Sequence, residues 1–219
     1  MPNKETALQA IVNQGLLPLF FHEDPQLSLD VVKALYQAGV RTLEYTNRGS
    51  AALENFTFLK HELKTYEDLH LGIGTIKTVQ QANDFLKAGA DYVVAPIVDP
   101  QVGNLVHEAG LLWIPGCFTP TEIHLAQQAQ AALIKIFPAN IVGPAFVSSI
   151  KELFPGQLFI PTGGVEMEEE NFRTWFKAGV CAVGMGSKLI SKDILANRQF
   201  DTLQDLTAQA LELAQKCRK

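Results

Sequence analysis

The feature that most constrains the fold is a repeat, in which a short apolar run is followed by a stretch with helical spacing, eight times in succession. Residues 16–21 form the first run, and further runs follow at 42–45, 69–73, 92–95, 112–114, 131–139, 158–160 and 180–183. The helical patterns cover 28–39, 50–64, 78–88, 100–109, 119–129, 144–153, 168–178 and 202–216, and another covers 3–14. This alternation with short turns predicts a parallel sheet covered by helices.

The repeat predicts an α/β fold, a single (β/α)8 TIM barrel spanning residues 1–219, with an extra N-terminal helix that caps one end. The rival architecture is an open, doubly wound sheet. The barrel is favoured because the strands are uniformly short and no GxGxxG fingerprint follows the first strand. In such barrels the active site is built at the carboxyl ends of the strands, so residues that follow the strands are the candidates for function.

Composition excludes several classes of protein. The net charge of −5 and the absence of a basic run argue against a nucleic-acid partner. No apolar run is long enough for a membrane span, and the first residues lack the pattern of a signal segment. Three widely separated cysteines fit a reducing, cytoplasmic setting, and neither they nor the five histidines show the spacing of a metal site, so no metal is predicted.

Lys135 is the most unusual residue, because it lies in the middle of the apolar run 131–139. A buried ammonium costs several kcal/mol unless it is paired or loses its proton. In a desolvated site the neutral amine is favoured, and such an amine attacks ketones to form a Schiff base. Glu44, near the end of the second strand, is the matching candidate for general acid and base.

The remaining candidates also follow strands. Arg48 and Thr75 come after the second and third strands, Pro96 after the fourth, and Phe137 lies late in the lysine run, two residues after Lys135. Glycine-rich turns, which let backbone N–H groups approach a phosphate, follow the last two strands; they contribute Thr162, Gly163, Gly164, Gly186 and Ser187. The pattern predicts a phosphorylated keto substrate, anchored at one end and attacked at the other.

Simpler interpretations stay open at this point. Lys135 and Glu44 could form a structural ion pair, Arg48 could be a surface charge, and Gly163 and Gly164 could serve turn geometry alone. Three functions compete: a lyase that works through an imine, a non-catalytic barrel that binds a sugar phosphate, and an isomerase or epimerase that uses Glu44 as base.

Five ordered motifs resemble the 2-keto-3-deoxy-6-phosphogluconate (KDPG) aldolases, which include the bifunctional 4-hydroxy-2-oxoglutarate (KHG) aldolases. They lie at residues 41–48, 72–75, 135–139, 161–164 and 184–187, and the similarity runs over about 7–213. The chain departs from the usual motifs at Asn47 and Ile73, and also at His22 and Asn140.

The resemblance implies a homotrimer, a class I aldolase without metal or cofactor that splits KDPG into pyruvate and glyceraldehyde 3-phosphate. It also leaves room for cleavage of KHG, for the galactonate epimer and for a non-phosphorylated substrate. By family position Lys135 forms the Schiff base and Glu44 shuttles protons. Arg48 and Thr75 would hold the pyruvate carboxylate, Pro96 and Phe137 would shape the pocket, and the phosphate end would meet Thr162, Gly163, Gly164, Gly186 and Ser187.

Overall fold

The computed structural model describes residues 3–218, and Met1, Pro2 and Lys219 lie outside this range. Met1 and Pro2 belong to the N-terminal residues that lack the pattern of a signal segment. The strands within this range are β1 Leu16–Phe20, β2 Thr42–Thr46, β3 His70–Gly74, β4 Tyr92–Val94, β5 Leu112–Ile114, β6 Gly116–Cys117, β7 Leu133–Ile136, β8 Leu158–Pro161 and β9 Val183–Met185. The helices are α1 Lys4–Gln14, α2 Pro25–Gln37, α3 Ala52–Glu62, α4 Val79–Lys87, α5 Pro100–Glu108, α6 Pro120–Gln128, α7 Ala139–Ile150, α8 Glu169–Ala178, α9 Lys192–Ala196 and α10 Phe200–Cys217, with a 3-10 turn at Lys151–Leu153.

All strand pairs are parallel and form a curled sheet in two segments. Six strands pair in the order β5-β4-β3-β2-β1-β9, and three pair in the order β6-β7-β8. Pro115, which has no N–H to donate, separates β5 from β6, and its carbonyl accepts the Lys135 N–H at 2.9 Å. An isolated bridge between Thr162 and Gly184 links the ends of β8 and β9. The α/β fold predicted from the repeat is therefore confirmed at this level.

Two predicted boundaries are wrong for local reasons. The second helix begins at Pro25 rather than Ser28, because the Asp24 carboxylate caps it by accepting the N–H groups of Gln26 and Leu27. The last strand is Val183–Met185 rather than 180–183. The chain leaves α8 through Gly179 at φ 107°, and the ladder with β1 starts only at the pair Leu16 and Val183.

The segment after β7 also differs from the prediction. A helix was expected over 144–153, whereas α7 begins at Ala139 and its last predicted turn, Lys151–Leu153, is a 3-10 helix. Gly143 interrupts α7 with a non-helical backbone (φ 69°, ψ 174°) directly before Pro144, so the predicted start corresponds to the second helical part. The short helix α9 was not predicted, because five residues are too few to show helical periodicity.

The apolar core has two parts. The larger part lies between the sheet and the surrounding helices. The smaller part fills the inside of the curled sheet and includes Ala7 and Ile11 of α1, together with Leu17, Tyr92, Val94, Leu112, Ile114, Leu133, Ile160 and Ala182.

Helix α1 closes the amino end of the sheet, as the sequence predicted. The side-chain amide of Gln14 donates to the Thr42 carbonyl at 2.8 Å, and the Lys4 N–H donates to the Gly110 carbonyl at 2.9 Å. The opposite end, where the strands finish, is thereby left for the site. None of the helices within residues 3–218 has the length and apolar character needed to cross a bilayer.

Candidate active site

Lys135 lies in β7 with its side chain out of water. The residue is 5% exposed, and its Nζ lies 4.9 Å from the centroid of the Phe137 ring. Burial lowers the pKa of Lys135 below the ordinary 10.5, the nearby Glu44 charge opposes this, and the Arg48 charge lowers the pKa further. Within residues 3–218 no carboxylate lies within 4 Å of its amine, so the simple ion pair with Glu44 is not formed. The lowered pKa makes the neutral, nucleophilic amine easier to reach than in an exposed lysine.

Glu44 lies on the inner face of β2 and is 1% exposed. Neither carboxylate oxygen has a hydrogen-bond partner among the described residues. The side chain lies across the backbone of Gly74 in β3, where an added Cβ would stand 2.7 Å from Glu44 Cγ and would overlap Oε1. Gly74 therefore makes the space that the carboxylate fills.

The residues predicted for the pyruvate end lie at the same end of the sheet. Arg48 is exposed, and its backbone N–H donates to the Thr46 carbonyl at 2.9 Å. Thr75 is half-buried with φ 64°, a left-handed backbone that a threonine rarely adopts and that is typical of functional positions. Pro96 and Phe137 are also half-buried. Pro96 lies against Gly116, where a Cβ would be 2.6 Å from its carbonyl carbon.

Thr162, Gly163 and Gly164 lie beside the beginning of α7. Thr162 is 8% exposed; its N–H donates to the Ile136 carbonyl, and its own carbonyl accepts the Ala139 N–H, both at 3.0 Å. Gly164 has φ 74°, and a Cβ there would come within 2.8 Å of Asn140 Cα. These contacts fix the first glycine turn against β7, the strand that carries Lys135.

The second glycine turn, at Gly186 and Ser187, is not followed directly by a helix. Gly186 is followed by a turn in which Leu189 and Ile190 donate their N–H groups to the Gly186 carbonyl at 2.9 and 2.8 Å. Ser187 is exposed. The neighbouring Lys188, which the sequence analysis did not single out, pairs with Glu166 at 2.9 Å. The N–H groups available to an anion at this turn belong to the loop, because the next helix, α9, begins only at Lys192.

The departures from the usual motifs have different surroundings. Ile73 belongs to the core between sheet and helices, so its side chain points away from the inside of the sheet. Asn47 donates its N–H to the Gly74 carbonyl at 2.8 Å, and the His22 carbonyl accepts from the Tyr45 hydroxyl at 2.8 Å. Asn140 is exposed beside the Gly163 and Gly164 turn. Of the four residues, Asn140 is the one that adjoins the predicted phosphate end.

Cysteine and metal chemistry receive no support in this region. Burial raises the pKa of the Cys117 thiol to about 12, so the neutral thiol dominates near neutral pH and behaves as a small apolar group. Across residues 3–218, no three His, Cys, Asp or Glu side chains cluster in a way that could hold a metal ion.

A family model and several curated relatives match this chain. The family model for KDPG and KHG aldolase matches residues 9–206. The 2-dehydro-3-deoxy-phosphogluconate aldolase of Treponema pallidum is 30% identical over 210 residues, which are 95% of this chain and 97% of that protein. A probable 2-dehydro-3-deoxy-6-phosphogalactonate aldolase of Rhizobium meliloti is 38% identical over 120 residues, 54% of this chain and 56% of that protein.

Among solved structures, the 4-hydroxy-2-oxoglutarate/phosphogluconate aldolase from TTHB1 superposes with a TM-score of 0.79 at 30% identity, covering 95% of this chain and 98% of that one. The resemblance predicted from the five motifs is confirmed by a match that spans most of the sequence. The named relatives are aldolases, which are carbon–carbon lyases. The chain belongs to the KDPG and KHG aldolase family.

Proposed function

We propose that this protein is a class I aldolase that cleaves 2-keto-3-deoxy-6-phosphogluconate to pyruvate and glyceraldehyde 3-phosphate. The observation that carries the proposal is the buried amine of Lys135, which has no ion-pair partner within residues 3–218 and lies near the buried carboxylate of Glu44. A barrel that only binds a sugar phosphate has no need of two buried ionisable groups, whose burial costs free energy. Cleavage of 4-hydroxy-2-oxoglutarate to pyruvate and glyoxylate is a second reaction of the same site.

The chemistry begins at the amine. The neutral Lys135 Nζ attacks the C2 ketone of the substrate, and the resulting carbinolamine takes up one proton from solvent and loses water to form a protonated imine. Glu44 removes the proton of the C4 hydroxyl, the C3–C4 bond breaks, and its electron pair moves into the imine to give an enamine while the aldehyde leaves. Protonation of the enamine at C3, with Glu44 returning the proton, and hydrolysis of the imine then release pyruvate and restore the free amine.

Substrate orientation is assigned to the flanking residues. Arg48 and Thr75 hold the carboxylate next to the ketone, since a guanidinium and a hydroxyl both donate to carboxylates. Pro96 and Phe137 border the pyruvate moiety. The phosphate end is held by the two glycine turns, through Thr162, Gly163, Gly164, Gly186 and Ser187. Support comes from the placement of all these residues after strand ends, on the side opposite α1.

The closure of the sheet and the assembly of the chain are also part of the proposal. We propose that the curled sheet is a closed (β/α)8 barrel, with β5 and β6 as one interrupted strand and the Thr162–Gly184 bridge as the closing contact. We also propose a cytoplasmic homotrimer. Exposed apolar side chains that follow β4, β6 and β7 support assembly: Ile97 and Phe118 lie on loops and are 47% and 37% exposed, and Ile141 lies in the first turn of α7 and is 67% exposed.

One specific observation favours a second substrate. The Rhizobium meliloti relative, named for the galactonate epimer, is 38% identical over its matched stretch. Thr162 favours the gluconate epimer, because its hydroxyl can hydrogen-bond a sugar hydroxyl whose position differs between the two sugars. We therefore rank phosphogluconate first and phosphogalactonate second.

A substrate panel tests the proposed function. Pyruvate release is measured from both 2-keto-3-deoxy epimers, each with and without the 6-phosphate, and from 4-hydroxy-2-oxoglutarate. The expected result is the highest kcat/KM for the phosphorylated gluconate epimer and no turnover by Lys135→Ala. Binding of the sugar phosphate without pyruvate release would contradict the proposal, and turnover by Lys135→Ala would indicate a reaction without an imine.

A further inference from the structure

The buried polar atoms without partners are concentrated at one place. Within residues 3–218, four buried side-chain atoms lack a hydrogen-bond partner: both Glu44 oxygens, Thr46 Oγ1 and Trp113 Nε1. Three of the four lie at the carboxyl end of β2. Since nearly all buried polar groups in native proteins are paired, such a concentration marks a place where pairing changes during function.

Thr46 shares the inner face of β2 with Glu44. Alternate residues of a strand point to the same side, so Thr42, Glu44 and Thr46 form one row. The Thr42 hydroxyl donates to the Tyr92 hydroxyl at 3.1 Å, within the inner part of the core. The ladder with β3 continues to the end of the row, because Thr46 pairs with Gly74 and the next N–H, of Asn47, donates to the Gly74 carbonyl.

The Glu44 carboxylate reaches the level of Thr46. Its Oε1 and Cδ are the nearest neighbours of a Cβ built on Gly74, and Gly74 is the cross-strand partner of Thr46. The carboxylate and the hydroxyl thus lie at the same level of the β2–β3 ladder, and they are not hydrogen-bonded in this conformation. Rotation between staggered rotamers moves either group without any change of the backbone.

We propose that Thr46 is a positioning residue for Glu44, whose carboxylate receives a hydrogen bond from the Thr46 hydroxyl during turnover. The inference rests on the proposed function, in which Glu44 carries protons. Fixing the carboxylate in this way aims it at the C4 hydroxyl of the substrate, while Gly74 keeps the space open. The hydroxyl has no structural bond to lose, in contrast to those of Thr42 and Thr207, which donate to Tyr92 and to the Leu203 carbonyl.

Two isosteric variants on the same row, Thr46→Val and Thr42→Val, distinguish a positioning role from a structural role. Thr46→Val removes an unpaired hydroxyl, so the melting temperature is expected to stay equal or rise, while kcat for pyruvate release falls about 10- to 100-fold with KM within about 3-fold. Thr42→Val removes a paired hydroxyl, so the melting temperature is expected to fall while kcat stays within about 3-fold. Thr46→Ser keeps the donor and should retain kcat within about 3-fold of the wild type.

The outcomes distinguish the inference from the proposed function. A wild-type protein that releases no pyruvate refutes the proposed function, and the inference falls with it. An active wild type with an equally active Thr46→Val variant refutes the positioning role alone. That role is also refuted if Thr46→Ser loses as much kcat as Thr46→Val, or if Thr46→Val lowers kcat and melting temperature together, because side-chain shape would then matter rather than the hydroxyl.

Discussion

At the scale of single residues, the site depends on the amine of Lys135, which is shielded from water. Desolvation lowers the pKa of Lys135, and although the Glu44 charge favours the ammonium, that carboxylate is not within ion-pair distance. Each unit of lowering corresponds to about 1.4 kcal/mol of preference for the neutral form. The same burial that destabilises the charged side chain therefore makes the nucleophile available.

The titration of Lys135 is directly measurable. In protein labelled with ¹³C at lysine Cε, the signal that disappears in Lys135→Met should titrate with a midpoint below the ordinary 10.5, because the folded protein disfavours the ammonium. The neutral fraction therefore rises at lower pH than for an exposed lysine. A midpoint of 10.5 or above for the Lys135 signal would contradict the account.

Charged residues within apolar strands can be recognised as candidates from the sequence, whereas residues that are common in strands cannot. Lys135 and Glu44 stand out because charged residues rarely occupy apolar strands. Thr46 and Gly74 carry no such signal, since a threonine in a strand is common and a glycine suggests only a turn or bulge. Their importance follows from the pairing of Thr46 with Gly74, which only the three-dimensional register shows.

At the scale of elements, the neighbouring strands β2 and β3 work as a unit. Gly72 and Gly74 face the inside of the sheet, where Gly72 lies under the Tyr92 ring and Gly74 under the Glu44 side chain. An added methyl group at either position forces a buried side chain to move. The two glycines thus serve different neighbours, one in the core and one in the candidate site.

This difference predicts the result of a double-mutant cycle. Gly74→Ala should lower kcat by about 100-fold or more, because it displaces the proposed proton carrier, and should reduce the free energy of unfolding by about 1–3 kcal/mol. In a Glu44→Ala background the stability loss should largely disappear, since the three atoms nearest to the new methyl group all belong to the Glu44 side chain. Urea unfolding of the four proteins measures the coupling.

Gly72→Ala is the control for that cycle, because its added methyl group meets Tyr92 rather than Glu44. Its stability loss should be the same with Glu44 and with Glu44→Ala. If Gly74→Ala behaves in the same uncoupled way, the contact between Glu44 and Gly74 does not position the carboxylate.

The order of the strands and helices was easier to predict from the sequence than the residues at which each of them begins and ends. The apolar runs and helical patterns gave the order of strands and helices, because each period reflects burial against the sheet. The ends depend on single contacts, such as the Asp24 cap of α2 and the glycine exit from α8 that delays β9. The break of α7 at Gly143 likewise depends on one residue, which the hydrophobic periodicity of the sequence cannot show.

At the scale of the whole molecule, the exposed apolar side chains Ile97, Phe118 and Ile141 predict self-association. Sedimentation should give the mass of three 24.1 kDa chains. Ile141→Asp should shift the protein toward smaller species, because it places a charge on the proposed contact. Leu153→Asp is the matched control, since Leu153 is 66% exposed and Ile141 67%, but Leu153 lies beyond the far end of α7. A monomeric wild type, or equal effects of both variants, would contradict the proposed assembly.

The central claim is that Lys135 forms an imine with the keto acid, and reductive trapping tests it most directly. The protein is treated with pyruvate and borohydride, digested with trypsin and analysed by mass spectrometry. Because trypsin does not cleave after a modified lysine, the expected product is the uncleaved peptide 88–151 carrying one reduced pyruvate adduct, absent from Lys135→Met. Catalytically active protein that acquires no adduct, or one on a different lysine, would contradict the account.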